Sequence, residues 1–165
     1  MGLRIDVRNE SRHGDAANIE TLRELAQRVY EGEGRDGEAE LSVLFCDDAF
    51  MAEINETYRD EAQATDVLSF PQEEPVHGDV SVLGDIAISL ETVARRCGED
   101  PAAMEKETAL LLCHGLLHLL GYDHAEPEEQ AAMTARQARY LGLDPGDAWL
   151  RGEPPGGEAG GSGPR

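Results

Sequence analysis

The segment His114-Gly115-Leu116-Leu117-His118-Leu119-Leu120-Gly121-Tyr122-Asp123-His124 constrains this chain more than any other. It closes a stretch from about Pro101 to Leu120 rich in Ala, Met, Glu, Lys and Leu, which are good helix formers, behind a proline suited to a first helical turn. On such a helix, side chains four apart lie on one face, so His114 and His118 present two imidazoles to one point. Gly121 can take the left-handed conformation that ends a helix, and the chain then turns so that His124 supplies a third nitrogen from the other side. Leu116, Leu117, Leu119 and Leu120 surround the rings, and three chargeable groups in one apolar turn are costly to bury without a ligand. Three neutral nitrogens suit one zinc ion, and three protein ligands leave a fourth position for water, as in catalytic sites. Such water has its pKa lowered toward ~7 while the ion polarises a carbonyl or phosphoryl oxygen, so hydrolysis is the expected chemistry. The competing arrangement is a closed structural zinc with Asp123 or Cys113 as fourth ligand.

The remaining pattern predicts an α+β fold: a small mixed sheet of about four strands packed with about five helices, the zinc site lying at the end of a central helix. Leu3, Ile5 and Val7 alternate with charged residues, the period of a half-buried strand. Ile19, Leu22, Leu25, Ala26, Val29 and Tyr30 form one apolar stripe of a helix within 16–31. Glu40 to Cys46 is a mostly buried strand, and Asp47-Asp48 offers the cap for a helix carrying Phe50, Met51, Ile54 and Tyr58. Short strands are expected at Val67 to Phe70, stopped by Pro71, and at Val82 to Ile88, with a loop holding His77 between them. Ser89 should cap a helix that Gly98 ends, and a last helix should span Glu126 to Leu141. Residues 1–145 thus make one domain, and 146–165 a flexible tail rich in Gly and Pro.

Charge limits the partners. With 14 Lys plus Arg against 34 Asp plus Glu, the formal net charge is −20, which disfavours non-specific binding to nucleic acid. Cys46, Cys97 and Cys113 are odd in number and lack C-x-x-C spacing, which argues for a reducing, cytoplasmic setting and against a disulfide framework. The amino terminus has no apolar core of signal-peptide length and no stretch approaches a membrane span, so neither export nor a membrane partner is expected.

The spacing H-x-x-x-H-x-x-G-x-x-H matches zincin peptidases, but Gly115 stands where those enzymes carry a general-base glutamate. Glu105 and Glu107 lie about two turns or more before His114, too far along the axis to replace it. A zincin-like metallopeptidase is therefore an alternative function that lacks its base.

The segment His114 to His124 resembles the H-G-x-L-H-L-x-G-x-D-H signature of the YbeY family, bacterial endoribonucleases and rRNA maturation factors. Ile54-Asn55-Glu56-Thr57-Tyr58-Arg59, followed by Thr65-Asp66-Val67-Leu68-Ser69-Phe70-Pro71, is similar to that family's second motif, and Leu83-Gly84-Asp85-Ile86 to its third. All three occur in the family's order and together cover roughly residues 40 to 142. The resemblance implies one zinc on the three histidines and single-strand-specific cleavage of RNA. It further implies work in 16S rRNA 3′-end maturation and ribosome quality control, with rRNA and the small ribosomal subunit as partners and no role for DNA. It makes Arg59 the basic active-site residue, suited to the scissile phosphate or its transition-state charge.

Asp85 and Asp123 are candidates to receive the outward N–H of a ligand histidine; either could instead cap a turn. Thr65, Asp66 and Ser69 are expected to shape a strand and its turn, His13 and His77 to be solvated, and Cys113 to be a core residue. The loop Asp60-Glu61-Ala62-Gln63-Ala64 lacks the basic residue and the proline usual in the family. RNA binding must then draw on Arg59, Arg95, Arg96 and Lys106 as a local basic patch. A ribosome-assembly factor that binds without cutting, with zinc as an architectural clip, is a third reading.

Overall fold

Strand β1 (Leu3–Asn9) buries Ile5 between exposed Arg4 and Asp6, the alternation its sequence spells. It pairs in parallel with β2 (Glu38–Cys46), setting Ile5 against Leu41 and Val7 against Val43. Parallel neighbours need a crossover connection, and helix α1 (Ile19–Gly32) supplies it. The Asn18 side chain accepts the Thr21 N–H at 3.1 Å and so sets the start of α1 at Ile19, the first residue of the apolar stripe. Leu22, Leu25, Ala26, Val29 and Tyr30 turn inward. The computed structural model describes residues 2–13, 18–35, 37–59, 66–71, 80–124 and 126–148, without the side chains of residues 58, 59 and 80.

Helix α2 (Asp48–Arg59) follows β2, and strands β3 (Val67–Pro71) and β4 (Val80–Ser89) complete a four-stranded sheet of order β1-β2-β4-β3. Strand β4 runs parallel to β2 and antiparallel to β3, so the sheet is mixed. Its pairing with β2 slips at one point: Glu40 faces Val82 but Leu41 faces Gly84, the two-against-one count of a bulge. Gly84 takes φ +142°, and a Cβ there would sit 2.3 Å from the Phe70 carbonyl oxygen, so only glycine lets β3 approach this closely. On one face of the sheet α2 lays Met51 over Cys46, Leu68 and Ala87. Phe50, one residue and thus about 100° around the helix from Met51, is 40% exposed.

The opposite face carries the main core. Ser89 caps α3 (Leu90–Arg96) by accepting the Thr92 N–H, as its sequence position predicts. Asp100 caps α4 (Pro101–Leu119), and α5 (Pro127–Leu141) opens with a capping box between Glu126 and Glu129. Helix α4 is the central one, touching α1, α3, α5, β3 and β4. Its second half is buried almost all round, from Leu110 to Leu117. Leu111, Leu116 and Leu117 are fully enclosed, each contributing roughly 1.5–3 kcal/mol by leaving water. Among the described residues the fold is the α+β arrangement of four strands and five helices that the sequence pattern predicts. After α5, Pro145–Asp147 forms one 3-10 turn and Ala148 is buried. Residues 149–165, most of the segment read as a Gly/Pro-rich tail, lie outside the described residues.

Candidate metal centre

The three histidines converge. Ring centroids are 4.7 Å apart for His114 and His118, 5.1 Å for His118 and His124, and 5.4 Å for His114 and His124. Each offers one ring nitrogen to a group whose members all lie within 4.8 Å of one another. His114 is fully buried, His118 and His124 are half-buried, and the Nε2 atoms of all three are shielded from solvent.

Local sequence explains the convergence. Four-residue spacing stacks His114 and His118 on one face of α4. The helix then ends in a Schellman turn: the Tyr122 N–H bonds the Leu117 carbonyl and the Gly121 N–H bonds that of His118, both at 3.0 Å. Gly121 adopts φ +111°, which a side chain would resist. The same turn aims the Tyr122 carbonyl back at His118, whose Nδ1 lies 3.0 Å from it. Because a carbonyl only accepts, that nitrogen carries the proton, and the Nε2 lone pair faces the trio. The Tyr122 hydroxyl donates to Glu33 at 2.7 Å, and Tyr140 donates to the same carboxylate at 2.6 Å, tying the turn to the end of α1 and to α5.

His114 makes its outward contact across the core, Nδ1 to Gln137 Oε1 at 2.8 Å. Gln137 and the Tyr122 carbonyl, not Asp85 or Asp123, therefore receive the outward ring nitrogens described here. Asp85 neighbours Ile86, whose side chain faces α4, so strand alternation sends Asp85 to the other face of the sheet, where it is exposed. Asp123 accepts the N–H of His124 at 2.8 Å, the turn-capping role. Gln137 escaped sequence reasoning because a glutamine on an amphipathic helix carries no signal of its own; only tertiary packing brings it to His114.

The residues present fit a metal. The donor set is three imidazole nitrogens, and among the described residues no cysteine or carboxylate joins the group. Cys113 is fully buried, and burial pushes its thiol up to about 12, which keeps it protonated in the core. The closed four-ligand arrangement with Cys113 or Asp123 is thus not the one seen.

The expected basic patch is largely committed elsewhere. Arg96 turns inward, bonding Asp66 at 2.9 Å and Glu107 at 3.3 Å, both carboxylates nearly inaccessible. Arg95 holds Asp48 at 2.9 Å, and Lys106 is exposed. Arg59 is the last residue of α2, and its side chain lies outside the described residues, as do His77 and Thr65. Ser69 shapes the strand and its packing as expected, its hydroxyl donating to the Gly115 carbonyl at 3.3 Å. No described helix is long and apolar enough to cross a membrane.

The family model described as endoribonuclease YbeY matches residues 4–143. An endoribonuclease YbeY of Pelotomaculum thermopropionicum is 42% identical over 132 residues, 78% of this chain and 87% of the relative. That of Moorella thermoacetica is 44% identical over 131 residues, 74% of this chain and 84% of the relative. The solution structure of TM1509 from Thermotoga maritima superposes with a TM-score of 0.56 at 28% identity, covering 84% of this chain and 87% of that one. With the family model spanning residues 4–143 and relatives 42% and 44% identical along most of their length, this protein belongs to the YbeY endoribonuclease family.

Proposed function

We propose that the protein is a zinc-dependent, single-strand-specific endoribonuclease of the cytoplasm that acts in 16S rRNA 3′-end maturation and ribosome quality control, with rRNA and the small ribosomal subunit as its partners. The observation that carries this reading is the trio itself: three imidazoles around one point, His118 already oriented by its outward hydrogen bond. His114, His118 and His124 would hold the ion, and its chemistry there is Lewis acidity toward a phosphoryl oxygen together with acidification of water. The protein's own part is to keep three nitrogens aimed inward, with His114 sealed in the core and the half-buried His118 and His124 rings forming the side from which a substrate would approach. Arg59, assigned through the family's second motif, would neutralise the scissile phosphate with its planar fork.

His118→Ala should keep the fold, lose bound metal and lose cleavage of single-stranded RNA, read by metal analysis, circular dichroism and mapping of 16S rRNA 3′ ends in cells carrying the variant. Zinc-loaded, nuclease-free protein that leaves ribosomal and model RNAs uncut would overturn the reading. A binding factor that does not cut is separated by the same strain: histidine variants would then process rRNA normally. The peptidase alternative loses ground in the packing of α4. A Cβ on Gly115 would meet Ile86 Cγ2 and Ser69 Oγ at 3.1 Å, so this position faces the sheet with no room for a glutamate.

A further inference from the structure

We infer that Gln137, locked by the main chain of Ala148, is the positioning residue that sets the tautomer of His114 and so makes the turn after α5 part of the metal centre. The inference rests on the metal reading above. A histidine ligand must present a lone pair on the nitrogen facing the ion, so its proton must sit on the other nitrogen, and something must hold it there. For His118 a carbonyl does this unambiguously. For His114 the partner is a primary amide, which has an acceptor end and a donor end and could in principle face the ring either way.

The surroundings remove that freedom. Gln137 is fully buried, and its Nε2 donates in a short contact to the carbonyl of Ala148, itself fully buried just past the 3-10 turn Pro145–Asp147. Turning the amide over would set its oxygen against that carbonyl oxygen, two acceptors with no proton between them. The amide nitrogen therefore faces Ala148 and Oε1 faces His114 Nδ1 at 2.8 Å. An acceptor at that distance requires the proton on Nδ1 and leaves the lone pair on Nε2, a buried atom on the opposite side of the ring. The order of control runs from the Ala148 carbonyl through the Gln137 amide to the His114 ring.

Two substitutions separate this role from simple packing. Gln137→Met keeps an unbranched side chain but removes the acceptor; Gln137→Glu, entering this buried site as the neutral acid, keeps a carbonyl acceptor for His114 and replaces the amide N–H toward Ala148 by an O–H. Nitrogen NMR of the ring in metal-free full-length protein, in mildly alkaline buffer, reads the tautomer directly, and chelator competition reads zinc affinity. The wild type should show His114 protonated at Nδ1. Gln137→Met should show a mixture of tautomers and bind zinc about 10- to 100-fold more weakly, and Gln137→Glu should recover most of both.

Equal losses in the two variants, or an unchanged tautomer and affinity in Gln137→Met, would overturn the proposal. If Gln137→Met does not fold, the wild-type tautomer decides: a proton on His114 Nε2 overturns it and one on Nδ1 supports it. A wild type that takes up no zinc but shows the fixed tautomer, lost in Gln137→Met and kept in Gln137→Glu, would sink the metal reading while leaving the positioning role in place.

Discussion

Asp48 lies in the first turn of α2 yet serves the start of another helix. Its carboxylate accepts the hydroxyls of Ser89 and Thr92, each at 2.6 Å, and the guanidinium of Arg95 at 2.9 Å. Burial pushes its pKa up, but these three donors outweigh that and hold the carboxyl below its ordinary value. A group whose folded pKa is depressed contributes stability above its unfolded pKa, ~3.9, and loses it as pH falls through the folded value. Asp48→Ala should cost about 1–3 kcal/mol at neutral pH, since it strands two buried hydroxyls. The gap from wild type in urea melts should narrow below about pH 4, and a gap of the same size in strong acid would contradict the assignment. Asp47-Asp48 read in the sequence as a cap for α2 alone, because the partners of Asp48 lie more than 40 residues away. The histidine trio was legible for the opposite reason: its members share one helix end and one turn, so local spacing carries the geometry.

Helix α4 is held against the sheet by the absence of a side chain. Gly115 lets the helix approach β3 and β4 so closely that the hydroxyl of Ser69 reaches its carbonyl. Gly115→Ala sets an overpacking cost of about 1–3 kcal/mol at Ile86 and Ser69 against the ~1 kcal/mol that alanine gains over glycine inside a helix, so chemical denaturation should find it between level with wild type and about 2 kcal/mol less stable. Gly115→Glu should fail to fold rather than acquire peptidase activity, which circular dichroism and a peptide-hydrolysis assay would check together; a folded, peptide-cleaving variant would refute the packing argument. Strands and helices were readable where one period or one cap dominates, as at Leu3 to Val7 and at Ser89. The slip in pairing at Gly84 was not, because a bulge is a relation between two strands. Nor was the reason for glycine at position 115, which looks in the sequence like a missing base and in the fold is a contact surface.

The whole molecule carries a net charge of −20 and spends several of its few cations internally: Arg12 on Asp47 and Glu91, Arg95 on Asp48, Arg96 on Asp66 and Glu107. An RNA substrate should thus be repelled at long range, and salt should screen that repulsion. The kcat/KM for a short single-stranded RNA is expected to rise between about 20 and 200 mM monovalent salt, the reverse of the usual steep fall. A strong decrease would instead reveal a cationic patch that dominates locally. Strand order carries a last consequence. Strand β4 lies between β2 and β3 although it is made after both. During synthesis from the amino end, β2 waits with one flank open and β3 has no neighbour until residue 89 has left the exit tunnel. The helix bearing His114 and His118 comes later still, so a chain interrupted before β4 is complete would have two sticky borders and no histidine trio.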